Sequence, residues 1–360
     1  MEFERAPLIE YAIMLFADVS LHDVLLIASQ HILDSNRSLF GYFVEKGLPP
    51  ANIFLIGKCY STNQKVFERF AKMGINVSKD SSKFDSYVSF DEQFDIFTRD
   101  FLEDVLKKVN LKKIRRVVIL EDGGNLLSHA NRVFKDFSKV VGIEQTSAGY
   151  EKLKNLKLNF PVVNVARSET KLKVESPLIA DIFLEKLEEF LSKINLKPKK
   201  VLIVGSGAIG GAIYQRMKKR FDVYRYDLEE QLSDFKGKSL KGILSEFDII
   251  IGTTGKAIID LNSYRYLKKG VVLASASSSD REFSAVDLRK LVDKIGNCHK
   301  TISTKGINLL NCGFPVNFDG GENSSPLKEI QITLALLFSA VCLASSKEYK
   351  KGLVELDSEI

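Results

Sequence analysis

The chain has only four cysteines, Cys59, Cys298, Cys312 and Cys342, and no two of them stand at C-x-x-C spacing. That scarcity argues against a zinc site and against a disulfide framework, and it fits a reducing cytoplasm. No metal is expected. Long apolar runs are scarce too. The N-terminus, Met1-Glu2-Phe3-Glu4-Arg5, is acidic and no signal-type apolar core follows it, so no export segment is expected. The longest apolar run, Ile332 to Ala344, is too short to cross a bilayer and reads as a buried helix. A membrane partner is therefore not expected. Charge of one sign is not concentrated: the net charge is +6. The basic clusters Lys107-Lys108, Lys112-Lys113-Arg115-Arg116 and Arg216 to Arg220 are broken by apolar residues and carry no aromatic interleaving. They read as solvated helix or strand ends, not as a nucleic-acid footprint. No repeat or low-complexity segment is present.

What remains is an ordinary globular composition, 45% apolar and 27% charged, in 360 residues. That length suggests two domains. The chain is organised around Val201-Leu202-Ile203-Val204-Gly205-Ser206-Gly207-Ala208-Ile209-Gly210-Gly211. Four apolar residues, rich in β-branched types, read as a strand buried on both faces. The strand runs into G-x-G-x-x-G, and Ala212 to Lys219 reads as the following helix. Gly205 allows the tight turn, Gly207 a close approach of pyrophosphate, and Gly210 close helix–strand packing. Gly205, Gly207, Ala208, Ile209 and Gly210 are thus candidate cofactor-binding residues, with a diphosphate at the helix start. A second strand, Val223 to Tyr226, ends in Asp227, a carboxylate placed to take the adenosine ribose hydroxyls of NAD. Arg225 nearby leaves NADP open. The other reading is a glycine turn in some unrelated α/β protein.

Strands and helices alternate along the rest. Strands are expected at Val24–Ala28, Asn52–Gly57, Ile75–Val77, Val117–Leu120, Pro161–Val165, Asp248–Ile251 and Gly270–Ala274. Helices are expected at Leu39–Lys46, Lys65–Lys72, Phe101–Val109, Pro177–Ile194 and Leu327–Ser345, the last packing back on the first domain. The fold class is α/β: two doubly wound parallel-sheet domains, the second an NAD-binding Rossmann domain, joined by long hinge helices. A substrate domain is expected over 1–176 plus 325–360, and an NAD domain over 177–324.

Several stretches, in this order, resemble S-adenosylhomocysteine hydrolase, an NAD-containing cytoplasmic enzyme of one-carbon metabolism. They are Cys59-Tyr60-Ser61-Thr62-Asn63-Gln64, Ile119-Leu120-Glu121-Asp122-Gly123-Gly124-Asn125-Leu126, Gly142-Ile143-Glu144-Gln145-Thr146-Ser147-Ala148-Gly149, Ser168-Glu169-Thr170-Lys171-Leu172-Lys173, Ile251-Gly252-Thr253-Thr254-Gly255 and Leu310-Asn311-Cys312-Gly313-Phe314-Pro315-Val316-Asn317. The resemblance implies a nucleoside hydroxyl oxidised by tightly held NAD, elimination, hydration and reduction, in a homo-oligomer. It implies roles for Asp122 in the substrate pocket, Lys171 in deprotonating the hydroxyl, and His31 in the active site. It further implies that Thr146, Ser147 and Asn317 hold the nicotinamide side, with Thr253, Thr254 and Gly255 at the cofactor. Against it, Gln145 stands for a catalytic glutamate, although Glu144 adjoins it. Ala166 stands for a catalytic asparagine, Glu175-Ser176 for an Asp-Asn pair, and Ser277 for a histidine. The family's C-terminal Lys- and Tyr-bearing extension has no counterpart.

Read without the family, Lys171 and Glu175 are four apart and share a face on a helix. They form either a surface ion pair or a desolvated lysine able to take a proton. Asp122 follows a strand, where an Asx-type turn and a ligand-facing carboxylate are both open. His31 has the same address, as a core residue or an acid–base group; Glu144 is a second candidate base. His129 and His299 read as surface residues. Three functions follow: an internal-redox enzyme like the hydrolase acting on a small molecule such as a nucleoside, a simple NAD-dependent dehydrogenase of the hydroxyacid type, and a non-catalytic NAD-binding protein.

Overall fold

The structure, a computed structural model, describes residues 2–135, 138–169, 171–194, 198–293 and 295–356. Met1 and Thr170, named above, lie outside the described residues. The strands are β1 (Val24–Ser29), β2 (Ile53–Ile56), β3 (Asn76–Val77), β4 (Arg116–Glu121), β5 (Val140–Glu144) and β6 (Pro161–Asn164), then β7 (Lys200–Val204), β8 (Asp222–Tyr226), β9 (Ile249–Gly252), β10 (Val271–Ser275), β11 (Ile302–Thr304), β12 (Ile307–Leu309) and β13 (Gly352–Glu355). The α-helices are α1 (Pro7–Leu15), α2 (Asp34–Glu45), α3 (Gln64–Lys72), α4 (Phe90–Lys108), α5 (Asn125–Val133), α6 (Ser147–Leu153), α7 (Ser176–Lys193), α8 (Ala208–Met217), α9 (Ala285–Arg289) and α10 (Leu327–Ser346). The chain divides into two compact units. Unit 1 comprises 1–83, 94–175 and 320–360; unit 2 comprises 84–93 and 176–319.

Unit 1 is a seven-stranded sheet in the order β3-β2-β1-β4-β5-β6-β13. Every pairing in it is parallel. β1 and β4 are buried on both faces, which is why both read as unbroken apolar runs in the sequence. The chain leaves β1 toward β2 on one side and reaches β4 on the other, so the order reverses between them. In sheets of this kind ligands gather at that reversal, beyond the C-terminal strand ends. α10 covers one face: Leu334, Leu337, Phe338 and Val341 join the core with residues of α1, α2 and β1. Phe338 stacks on Phe43 with ring centroids 5.7 Å apart. By length and composition α10 would cross a bilayer, with a mean hydropathy of 1.7, but 67% of that window is buried inside the protein. It is a core helix, ending one residue past the span expected from Leu327 to Ser345.

Unit 2 is a six-stranded sheet in the order β8-β7-β9-β10-β12-β11, parallel except for β11 against β12. Its core joins Phe183, Leu187 and Leu191 of α7 to Val201, Ile203, Ile249 and Val272. The two doubly wound parallel sheets are those expected. Several elements were not: β5 and β13, α1, and α5. α4 begins at Phe90, where Phe101 was expected, and α8 begins at Ala208, directly on the glycine turn. α5 starts where Gly123 (φ 114°) and Gly124 (φ 79°) turn the backbone, with no capping side chain to mark it.

One ion pair anchors residues 84–93 in unit 2. Arg289 and Asp280 are 0% and 1% exposed in their side chains and 2.6 Å apart. Arg289 also donates to the Val88 carbonyl (3.3 Å) and lies over the rings of Phe84 and Phe314. Asp280 accepts the Phe90 amide at 3.2 Å. Breaking such a pair from one side leaves an uncompensated buried charge. Arg289→Met is therefore expected to destabilise the protein by about 3–5 kcal/mol in denaturant titration. Arg289→Met with Asp280→Asn should recover part of that loss.

Candidate functional site

Beyond the C-terminal ends of β1, β2, β4 and β5 the polar side chains of unit 1 converge out of water. Asp122, just past β4, is 3% exposed. Its Oδ1 accepts a hydrogen bond from the ammonium of Lys58, which follows β2 and is also 3% exposed. Its Oδ2 lies 3.2 Å from His31 Nε2 and accepts from the Gln145 amide. His31 Nδ1 stands 2.6 Å from Ser61 Oγ. Gln145 is held in turn by Gln30 at 3.1 Å, and Gln30 by Asn36 at 3.3 Å. Lys171 donates to the Gln145 carbonyl and faces Glu175 at 3.5 Å. Thr333 donates to that glutamate at 3.0 Å. Of the five residues expected to be catalytic, the structure gathers His31 and Asp122 directly and links Lys171 and Glu175 to them through Gln145.

The electrostatics follow from burial. Desolvation alone would raise the Asp122 carboxyl; Lys58 and His31 overcome it and hold it well below the ordinary carboxylate range. Burial would likewise lower the Lys58 ammonium, and Asp122, with Tyr60 and Glu121, more than reverses that. Tyr60 is pushed up to about 12, mainly by burial.

Glu144, the fifth candidate, does different work. It is fully buried, and its Oε1 accepts from the Thr146 amide (2.8 Å), the Thr146 hydroxyl (2.7 Å) and the Gly123 amide (3.3 Å). Gly149 leaves room for it: a Cβ there would sit 2.2 Å from the Glu144 carboxyl carbon. Glu121, its cross-strand partner, accepts the amides of Asp122 (2.8 Å) and Leu127 (3.2 Å). Two buried carboxyls at adjacent strand ends thus close the turns into α5 and α6. Burial, reinforced by Glu121, pushes the Glu144 carboxyl up to about 8, and its Oε2 has no hydrogen-bond partner among the described residues.

The second candidate region is in unit 2. The glycine turn joins β7 to α8, with Gly205 at φ 101°. A Cβ on Gly210 would lie 2.1 Å from the Gly205 carbonyl oxygen, so that glycine serves helix–strand packing. A Cβ on Gly207 would meet nothing within 4 Å. Gly207 and Ala208 are exposed and Ile209 is half-buried, so the helix start is open to a ligand. Asp227, after β8, accepts the Ser206 amide at 2.7 Å and the Glu229 amide at 3.1 Å. Arg225 is turned to Asp234 (3.3 Å) and lies over the Tyr214 ring, 4.4 Å from its centroid.

The remaining cofactor candidates are spread. Thr253 donates to the Val204 and Gly205 carbonyls at 3.0 and 2.9 Å, bracing the turn. Thr254 and Gly255 give their amides to Glu282, at 2.7 and 3.1 Å. Asn317 is buried in unit 2. Thr146 and Ser147 belong to unit 1, where Thr146 caps α6 by accepting the Gly149 amide at 3.0 Å. His129 is not a surface residue: it is buried, with Nε2 3.0 Å from Asp95 Oδ1. His299 is half-buried, with Nδ1 3.1 Å from the Phe318 carbonyl. Sequence reading passed over Lys58, Ser61, Gln30 and Glu282. Lys58 was reachable, since it follows a strand as Asp122 does; Glu282 carries no comparable signal.

A carboxyl whose pKa is raised on folding binds its proton more tightly in the folded state. Its contribution is present at low pH and lost as pH rises from its ordinary 4.5 through about 8. Chemical denaturation across pH 5–8 is expected to show stability falling with pH, and Glu144→Gln should flatten that fall.

No protein-family model matches the chain. It is 38% identical, over 97% of its length, to the Uncharacterized protein Rv0104 of Mycobacterium tuberculosis strain H37Rv, and equally to the Uncharacterized protein MT0113 of strain CDC 1551; the match covers 71% of each. Solved structures similar to it include NAD+-bound 3-phosphoglycerate dehydrogenase of Entamoeba histolytica, with TM-score 0.44, 10% identity, and coverage of 92% of this chain and 100% of that one. Phosphoglycerate oxidoreductase of Vibrio cholerae O395 matches with TM-score 0.42, 12% identity, and coverage of 88% and 98%. The resemblance to S-adenosylhomocysteine hydrolase, and with it the implied one-carbon role, is withdrawn: no family model, that hydrolase's included, matches the chain, and the relatives it does match do not bear that name. The physical reason lies in the matched stretches. Gly123-Gly124, Thr146 and Gly149 serve the local turns from strand to helix, at the starts of α5 and α6, and not a bound ligand. By its similarity over nearly its whole length, the chain belongs to the family of the mycobacterial proteins Rv0104 and MT0113.

Proposed function

We propose that the chain is an NAD-dependent oxidoreductase acting on a small molecule that carries a hydroxyl or carbonyl group. The observation that carries this reading is the open cradle at Gly207, set at the start of a ten-residue helix beside a strand-end carboxylate. The amides of the first α8 turn suit a pyrophosphate, and Asp227 suits the ribose hydroxyls. A bound nicotinamide supplies hydride exchange with the substrate carbon.

Unit 1 supplies the proton chemistry in this reading. An alcohol that gives up a hydride must also give up its hydroxyl proton. His31 is the group proposed to take it: its side chain is 19% exposed, against 5% for Asp122, 3% for Lys58 and 10% for Lys171. With Nε2–H directed at Asp122, the Nδ1 lone pair faces the Ser61 hydroxyl, so the proposed route is a relay: Ser61 passes its own proton to Nδ1 as its oxygen takes the substrate's. Lys171 is proposed to orient the substrate oxygen with its ammonium.

Two measurements test the cofactor assignment without turnover. Calorimetric titration is expected to show NAD binding at least about tenfold tighter than NADP. A 2′-phosphate would meet the Asp227 carboxylate, while Arg225 is engaged by Asp234 and Tyr214. Gly207→Ala should fold with nearly unchanged thermal stability, because its Cβ meets no protein atom, yet weaken NAD by at least about tenfold by filling the cradle. Unchanged NAD affinity in that variant would remove the dinucleotide from this turn.

A further inference from the structure

Glu282, in the segment after β10, is fully buried. Its Oε1 accepts the amides of Thr254 and Gly255 at 2.7 and 3.1 Å, and the Thr254 hydroxyl at 3.1 Å. Its Oε2 accepts the Ser275 hydroxyl at 2.7 Å. Its own carbonyl accepts the amides of Ile258 and Ile259, at 2.9 and 3.1 Å. One residue thus receives main-chain donors from both ends of residues 254–259. Gly252, paired with Ser275 across the ends of β9 and β10, makes room for the carboxyl: a Cβ there would lie 2.4 Å from Glu282 Oε2.

The sheet order says what that segment would meet. β7 lies between β8 and β9. A dinucleotide seated at the glycine turn would place its pyrophosphate past the end of β7 and its adenosine toward Asp227, after β8. Its nicotinamide half would then run the other way, over the turn that leaves β9. Thr253 in that turn is braced on β7: its amide and hydroxyl both donate to the Val204 carbonyl at 3.0 Å, and the hydroxyl to the Gly205 carbonyl at 2.9 Å. From Thr254 onward the chain leaves this brace. Glu282 takes over there, with Arg281 donating to the Gly255 carbonyl at 3.0 Å. Thr254 and Gly255 are half-buried and Lys256 is exposed, so the segment keeps one edge in solvent.

We infer that Glu282 is a positioning residue for the nicotinamide half of the dinucleotide. Acting through the amides of Thr254 and Gly255, it holds the turn after β9 in the shape that half of the cofactor meets, so that binding does not have to order the loop. Thr253 and the glycine turn, with their own bonds to β7, hold the pyrophosphate end independently of it. The nicotinamide role rests on the oxidoreductase reading; the fixing of the loop does not.

The test has two parts, both on the full chain. Hydrogen–deuterium exchange is first measured with no nucleotide added. Glu282→Leu keeps the bulk of the side chain and removes both acceptors, and is expected to speed exchange at Thr254 and Gly255 by at least about tenfold. Glu282→Gln should stay slow: its carbonyl oxygen takes the same two amides, and its NH2 meets a Ser275 hydroxyl free to turn and accept. Glu282→Asp, too short to reach both amides, serves in place of Glu282→Leu if that variant does not fold. Calorimetric titration then compares NAD with ADP, which has the adenosine and pyrophosphate but no nicotinamide half. Glu282→Leu is expected to weaken NAD by at least about tenfold and leave ADP unchanged, with Glu282→Gln restoring NAD. Unchanged exchange at Thr254 and Gly255, or equal weakening of NAD and ADP, overturns the inference. Wild-type protein that binds neither nucleotide sinks the oxidoreductase reading and the nicotinamide role with it, while the exchange rates still decide whether Glu282 fixes the loop.

Discussion

The Asp122 carboxylate lies out of water and stays ionised because the Lys58 ammonium is buried against it. Neither group would keep its charge alone at that depth, since burial works against both. Together they form a neutral pair, and the rest of the unit 1 site is arranged on it. Gln145 spans from Asp122 to Gln30, His31 takes the remaining Asp122 oxygen, and Lys171 is held on the Gln145 carbonyl. This is a polar network in a low-dielectric place, where every satisfied member fixes its neighbours and an unsatisfied one would be expensive. Rigidity of that sort is what an acid–base group needs, because its ring must meet a proton in one orientation.

The parallel sheet sets where such a network can form. At the C-terminal ends of parallel strands the chain must turn into a helix, and the helix amides need acceptors. In unit 1 two of those acceptors are Glu121 and Glu144, buried glutamates on neighbouring strands in register. They turn inward to the helix starts, and the residues just after them, Asp122 and Gln145, turn to the site. Each strand end thus splits its two polar side chains, one for the turn and one for the crevice. In unit 2 the same division holds in another form: Glu282 ties the amides of Thr254 and Gly255, while the turn at Gly207 is left open.

Much of this is legible in the sequence. The apolar runs at Val24, Val117 and Val201 announce buried parallel strands, and the rule that ligands lie past their C-terminal ends points to His31, Asp122 and the glycine turn. The same rule applied to the run Ile53–Ile56 leads to Lys58, whose single charge after a short strand gave no periodic signal of its own. Other features were hidden for physical reasons. β13 joins the sheet from the far end of the chain, and its half-exposed residues lack an apolar run. α5 starts on two glycines in left-handed backbone instead of a capping side chain. The burial of His129 depends on a partner, Asp95, on a helix that sequence periodicity placed too late.

The short stretches that suggested a nucleoside hydrolase show how local motifs mislead. E-D-G-G and E-Q-T-S-A-G are each a strand end, an acceptor for the next helix and a glycine where backbones or side chains crowd. Here those residues are accounted for by the strand-to-helix turns themselves, so their presence reports local backbone geometry. The informative positions are those the turn does not require. Lys58 gives only its backbone to the turn that follows, its side chain capping nothing; that side chain is buried against a carboxylate. For a sheet-edge site of this architecture, the chemistry is therefore read from the charges that the fold has no need of, and Lys58 with Asp122 and His31 is such a set.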